Sequence, residues 1–385
     1  MQSRHTTAAR GFAVPAAIVA LAAALYLGGL AVPADWAPQA AVSVPSAPVP
    51  AASLPALEAV VEAVVQVRPA PLTITELWVP LPSPDESQSV DFSRLEVRLQ
   101  GGSAPWEVTR DEYGNRFIHL RGAAEAPLAL RYTVPVRRHS NGYHDRAALA
   151  AAIDTAARAN GAASVEYPYG GHAEEALGSL TTSDRLVEQV LDGLLAAVND
   201  LPEPLQQAVM LNEVLRRNGR YLKTGAYGAG SPLWFCLTGQ GNCTDFHFTY
   251  LEVAARVALP GRFRIGIPLS PEPDQPVADA GEVPGYHCWI YLGAPLELAI
   301  DPSWEARLNA PTGTYLGRPL NDRLKLTEGT ALRLAPAISG APLPFLFQAY
   351  AEADGEPLPR AYAAAAGPAP SSPGVVTTYH FQRVR

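Results

Sequence analysis

The sequence predicts an α+β fold, and three observations carry that expectation. Between about residues 60 and 136, apolar residues recur with period two in short runs separated by turn residues. Between about 145 and 219 they recur at helical spacing. From Cys243 an apolar helical run is followed by two strand-like segments, 286–292 and 296–300. The expected architecture is helices packed on an antiparallel sheet, preceded by a small β-sandwich.

The chain has 385 residues, enough for two or three domains with sizeable cores. Hydrophobic residues make up 48% and charged residues 17%, which describes a globular protein rather than a disordered one. The formal charge of −8, with no basic patch, argues against nucleic acid as a partner.

Residues 1–34 read as an export signal. Arg4 and Arg10 precede an uncharged apolar run, 11–34, that is also long enough to span a bilayer. A cleaved signal peptide and a retained membrane anchor both fit. Either places the remainder outside the cytoplasm, in the periplasm or beyond, and tethered to the membrane if the segment is uncleaved. Residues 35–58 are rich in proline and alanine and read as a semi-extended linker.

Residues 59–138 form the expected β-sandwich-like domain, with runs at 63–67, 73–79, 95–99, 116–120 and 128–132 and five or six strands in all. Residues 139–182 are a connector with an alanine-rich helix over 145–160, stopped by Gly161, and an irregular stretch around Tyr167. Residues 183–356 are expected to hold the chemistry. There Ser183 caps one amphipathic helix, and Pro204 opens a second that ends at Asn218-Gly219. Residues 357–385 are read as a loop and a C-terminal strand, and the β-like runs over 311–385, Leu324-Lys325-Leu326 among them, are expected to complete the edge of this domain's sheet.

Asn242 is a good helix cap, so Cys243 falls in a first turn, where unpaired N–H groups and the helix dipole favour thiolate. Gly239 and Gly241 allow close approach of a ligand. The Cys243 N–H would serve an oxyanion, with a second donor from Gln240 or Trp234. Strand alternation puts His287 and Trp289 on one face and Cys288 on the other. Pairing of the two strands brings Asp301, at a Pro-Ser turn, beside His287, where it fixes the tautomer.

Plainer readings compete with these. A buried cysteine is often only a small hydrophobe. Asp245 suits a helix N-terminus, and His247 reads as an orienting or packing residue. Cys243 and His247 could share a zinc ion, but His287 and Cys288 point apart and spoil a tetrahedral set. No metal and no cofactor are expected. Of the three cysteines, Cys236 and Cys288 could form a disulfide that leaves Cys243 free.

Four short blocks then follow in order: Gly241-Asn242-Cys243-Thr244-Asp245-Phe246, 254–262 (A-A-R-V-A-L-P-G-R), His287-Cys288-Trp289 and Ile300-Asp301-Pro302-Ser303. Over roughly residues 180–310 the chain resembles the bacterial transglutaminase-like superfamily. The resemblance implies a papain-like core with Cys243 as nucleophile, His287 as general base and acid, and Asp301 as its orienter. It also implies a structural role for Arg262, in Leu-Pro-Gly-Arg where the family usually has Ile-Pro-Ala-Arg. Trp78-Val79-Pro80-Leu81-Pro82 looks like the β module that often precedes this core. The function so implied is an exported thiol enzyme that cleaves or transfers an acyl group of a peptide or protein amide. The alternative is a catalytically inactive binding module at the cell envelope.

Overall fold

The structure, a computed structural model, describes residues 56–69, 74–101, 104–123, 127–139, 142–159, 165–169, 183–222, 232–270, 276–318, 322–363 and 370–384. The expected export signal and nearly all of the expected linker lie outside the described residues. Among those described, no helix is long and apolar enough to cross a membrane.

The N-terminal strands are β1 (Leu57–Arg68), β2 (Ile74–Pro80), β3 (Gln88–Val90), β4 (Glu96–Gln100), β5 (Trp106–Arg110), β6 (Arg116–Ala123) and β7 (Leu128–Arg138). In β1 the alternation is strict enough to bury Ala59, Val61, Ala63, Val65 and Val67 together. Leu57 and Glu58, expected as linker, already belong to it. β3 and β5 add to the expected set. Trp106 and Val108 of β5, its alternating apolar residues, are exposed rather than packed in a core.

Helices α1 (Arg146–Arg158), α2 (Ser183–Ala196) and α3 (Pro204–Asn218) follow, then β8 (Arg220–Tyr221), α4 (Pro232–Thr238) and β9 (Gln240–Gly241). The central helix is α5 (Cys243–Arg256). After it come β10 (Gly261–Pro268), β11 (Ala280–Glu282), β12 (His287–Leu292), β13 (Leu298–Ile300), α6 (Pro302–Leu308) and β14 (Arg323–Glu328). The chain finishes with β15 (Tyr350–Ala353), β16 (Glu356–Pro357), β17 (Arg360–Tyr362) and β18 (Gly374–Arg383).

The fold is α+β. An antiparallel sheet of order β13-β12-β10-β14 carries the site, and α5 packs on it through contacts such as Phe248 on Phe263. Phe246, Tyr250 and Val253 of α5 join α3, α4 and the strand residues Ile290, Leu298 and Ile300 in one apolar core. A second core lies between the N-terminal sheets and continues through Phe263, Ile265, Leu324 and Leu326 to Cys243 itself.

β14, formed by the run around Leu324-Lys325-Leu326, completes one edge of the site's sheet as the sequence suggested, whereas β15 and β18 do not join that sheet. β18 pairs with β1 over its whole length, from Ala59 opposite Arg383 to Arg68 opposite Gly374, and β15 pairs with β2. Tyr379 and Phe381 of β18 fill the core beside β1, and the Tyr379 hydroxyl donates to the Phe347 carbonyl at 2.7 Å. The first and last described strands are thus neighbours, which ties the β module to both ends of the chain.

Buried charges join that module to the site's sheet. Arg264 of β10 reaches Glu86 of the module and Glu328 of its own sheet, each at 2.5 Å, and lies 3.5 Å from Asp85, which pairs within the module with Arg138 at 3.1 Å. Each charge is met by an opposite one, as burial in a low-dielectric interior demands.

Candidate active site

The loop before α5 closes on itself. The Asn242 carboxamide oxygen accepts from the Thr244 N–H at 2.9 Å, and Asp245 accepts from the Asn242 N–H at 2.9 Å, forming a capping box. Cys243 is therefore the first helical residue, as the sequence suggested. The glycine clearance expected for a ligand is filled by the protein instead. A Cβ on Gly241 would lie 2.5 Å from the Asp245 Cβ, and one on Gly239, at φ +67°, 2.5 Å from the Tyr167 ring.

His287 opens β12, opposite Gly266 of β10. Its Nε2 lies 2.6 Å from Asp301 Oδ2. Asp301 follows β13, but not in a simple Pro-Ser turn: Pro302-Ser303 begins α6, and Asp301 caps that helix. Its Oδ1 accepts from the Ser303 hydroxyl at 2.8 Å and the Trp304 N–H at 3.2 Å, while Oδ2 also accepts from Arg323 Nη1 at 3.0 Å. Cys243, the third member, has side-chain hydrogen bonds to His287 and Cys288. The structure thus brings Cys243, His287 and Asp301 together.

Charge is distributed accordingly. Burial pushes the Cys243 thiol up, but hydrogen bonds from Cys288 and His287 outweigh it and hold the thiol well below its usual range. Burial pulls His287 down, and Asp301 more than offsets that, so its pKa is raised. Asp301 is held well below the usual carboxylate range because His287 and His247 outweigh its burial. Burial, followed by the nearby Cys243 charge, pushes Asp245 up to about 7 against the bond from Asn242.

A cavity of about 60 Å³ opens at the thiol, lined by Tyr221, Asn242, Tyr286, His287 and Trp304 among others, with exposed Arg307 at its rim. Neither oxyanion candidate lines it. The Gln240 N–H donates to Thr238 Oγ1 at 3.1 Å, and Trp234 lies on α4. Asn242 lines the cavity instead.

Several expected placements change. Cys288 is at the site, not away from it: its sulfur is 3.2 Å from His247 Nδ1. Alternation places it on the face that α5 covers, while His287, as the strand's first residue, reaches the same helix start from the sheet's end. Cys236 sits in the helical core, and all three cysteines are free thiols, so no Cys236–Cys288 disulfide exists. Arg262 is exposed and pairs with Glu328 at 2.9 Å; the buried arginine of β10 is Arg264. Trp289 is buried, with the Arg323 guanidinium 5.6 Å from its ring, and so backs the arginine that holds Asp301. Among the described residues no group of three or more His, Cys, Asp or Glu side chains is arranged to hold a metal ion.

Trp304 and Arg323 were not foreseen. Arg323 gives one sequence signal, a charge opening the alternating run Arg-Leu-Lys-Leu-Thr-Glu, but nothing in that run names its partner. Trp304 Nε1 donates to His287 Nδ1 at 2.7 Å, with the rings edge to face. An acceptor nitrogen must be unprotonated, so this bond favours neutral imidazole and competes with proton transfer from Cys243. Trp304→Phe keeps the ring packing and removes the donor. It is expected to lower the pH midpoint of Cys243 alkylation by roughly half a pH unit, since a neutral hydrogen bond contributes about 1 kcal/mol. An upward shift would show that the indole instead supports the ion pair.

A thiol at a helix start, a histidine on an antiparallel strand and an aspartate beyond the next strand define a cysteine–histidine–aspartate site on an α+β core. Residues 194–292 match the model of the transglutaminase-like superfamily. The match includes Cys243 and His287; Asp301 lies beyond it. Among solved structures, a putative cysteine protease from Cytophaga hutchinsonii is similar at 14% identity and a TM-score of 0.47, covering 86% of this chain and 99% of that one. A TGase structure is similar at 11% identity and a TM-score of 0.24, covering 53% of this chain and 44% of that one. No curated protein matches the chain in sequence.

Proposed function

We propose that the protein is a thiol enzyme that cleaves or transfers the acyl group of a peptide or protein amide through Cys243, His287 and Asp301. The observation that carries this reading is the 2.6 Å bond from His287 to a buried, multiply bonded Asp301, with the Cys243 thiol on the same imidazole. In this reading the Cys243 thiolate attacks the substrate carbonyl carbon, and the carbonyl oxygen becomes an oxyanion near the start of α5. The free N–H at that helix start stabilises it. The proton held by His287 passes to the leaving nitrogen as the C–N bond breaks, leaving a thioester on Cys243. Water or an amine then attacks the thioester, with His287 taking its proton and returning the site to its starting state. Asp301 stays ionised throughout and holds the imidazolium.

The narrow cavity with aromatic walls suits a slim, extended acyl group. The charged and apolar character of residues 4–34 supports an exported protein, acting at the membrane or in the periplasm.

The test is trapping of the acyl-enzyme. Incubation with a panel of peptide amides and activated peptide esters, followed by acid quench, should add the acyl mass to the peptide that contains Cys243. Folded protein that forms no adduct with any member and releases no amine would favour the binding-module reading.

A further inference from the structure

Two buried polar side chains at the site have no part in the chemistry just described. His247 and Cys288 are both fully buried, a position where apolar residues would avoid the cost of desolvating polar atoms. They are not isolated. His247 Nδ1 lies 3.2 Å from the Cys288 sulfur, and His247 Nε2 faces Asp301 Oδ1 at 3.3 Å, an ion-pair distance without hydrogen-bond alignment. The Cys288 thiol is in turn hydrogen-bonded to Cys243.

We infer that His247 and Cys288 form a second arm that positions the nucleophile, running from Asp301 through His247 and Cys288 to the Cys243 sulfur. This rests on the thiol-enzyme reading and adds residues to it. Asp301 thereby holds the site from two sides: through His287, which moves the proton, and through His247, which does not touch substrate. Both imidazoles point at the same carboxylate, one at each oxygen.

The proton order follows from the donors available. Cys288 stays protonated, because burial and then the neighbouring Cys243 sulfur raise it well above the usual thiol range. Its single S–H therefore donates to Cys243. For His247 to serve both neighbours it needs an N–H on each nitrogen, Nε2–H toward the Asp301 carboxylate and Nδ1–H donating to the lone pairs of the Cys288 sulfur. Each donor polarises the next, so the chain strengthens toward the nucleophile. The other ionisable groups around Cys243 do not supply this. Asp245 on α5 is a carboxyl, and Tyr221 and Tyr286 are phenols whose pKa values are raised by burial and then by Cys243. His287 is the remaining stabilising neighbour, and it is needed for proton transfer.

The test is the pH dependence of Cys243 alkylation by iodoacetamide, read as the mass of the peptide that carries Cys243, with thermal unfolding of each variant alongside. Cys288→Ala should raise the midpoint by about one to two pH units, the size of a hydrogen bond to a charged group. Cys288→Ser, which restores an O–H donor, should return it to within roughly half a unit of the wild type. His247→Leu should also raise the midpoint, whereas His247→Asn, whose amide N–H can replace Nδ1, should not. If a Cys288 variant fails to fold, the His247 pair decides.

A Cys288→Ala profile that overlays the wild type, or a shift that serine does not reverse, would overturn the inference while leaving the thiol-enzyme reading standing. A wild-type Cys243 that titrates as an ordinary thiol would overturn both.

Discussion

Cys243→Ala is expected to lower the rate of acyl transfer by on the order of ten-thousand-fold or more, because no other group can form the thioester. The other two thiols cannot take over. Cys288 is fully buried behind Cys243, and its thiol is raised well above the usual range by burial and then by Cys243. Cys236 lies in the helical core and is pushed up to about 12, chiefly by burial. The substitution should spare the fold, since the capping box at Asn242 and Asp245 involves no Cys243 side-chain atom. Thermal unfolding should therefore stay close to wild type while acylation disappears. Residual acylation within tenfold of wild type would remove Cys243 from the nucleophile role.

The site was legible where its geometry is local. Asn242 beside a helical run places Cys243, and two strands joined by a short connection bring Asp301 to His287. Both follow from backbone periodicity. What escaped the sequence depends on ends and on distant pairing. Alternation assigns faces within a strand, but at its first residue the sheet ends, so His287 and Cys288 reach one helix start from opposite faces. Arg323 meets Asp301 only because β14 pairs with β10, and no spacing encodes that. The same holds for β18, whose alternating pattern marks a strand without naming β1 as its neighbour.

Asp301 is where these distant contacts converge, and its replacement has the largest expected effect on stability. Asp301→Ala takes from Arg323, itself 1% exposed, one of its two carboxylate partners, leaving Asp322 at 3.0 Å, and removes the acceptor for His287, Ser303 and the Trp304 N–H. Removing one partner of a buried ion pair costs about 3–5 kcal/mol when the charge left behind is unpaired, so with Asp322 still on Arg323 the lower end of that range applies, and losing the α6 cap adds about 1 kcal/mol. Asp301→Asn separates these effects, because its carboxamide oxygen can still cap α6 but carries no charge. It should fold, with acyl transfer lowered by on the order of a thousand-fold or more, as expected when a catalytic histidine loses its orienting carboxylate.

The pH dependence distinguishes charge from capping. Asp301 has a depressed folded pKa, so its contribution is complete above the unfolded value of about 3.9 and is lost as pH falls through the lower folded value. His287 has a raised folded pKa, so its contribution is complete below the unfolded value of about 6.5 and is lost as pH rises through the higher folded value. The stability advantage of wild type over Asp301→Asn, measured by chemical denaturation, should therefore be broad and flat between these limits and shrink on both sides. An advantage that does not vary with pH would mean that Asp301 serves α6 as a cap and holds no charge on the imidazole.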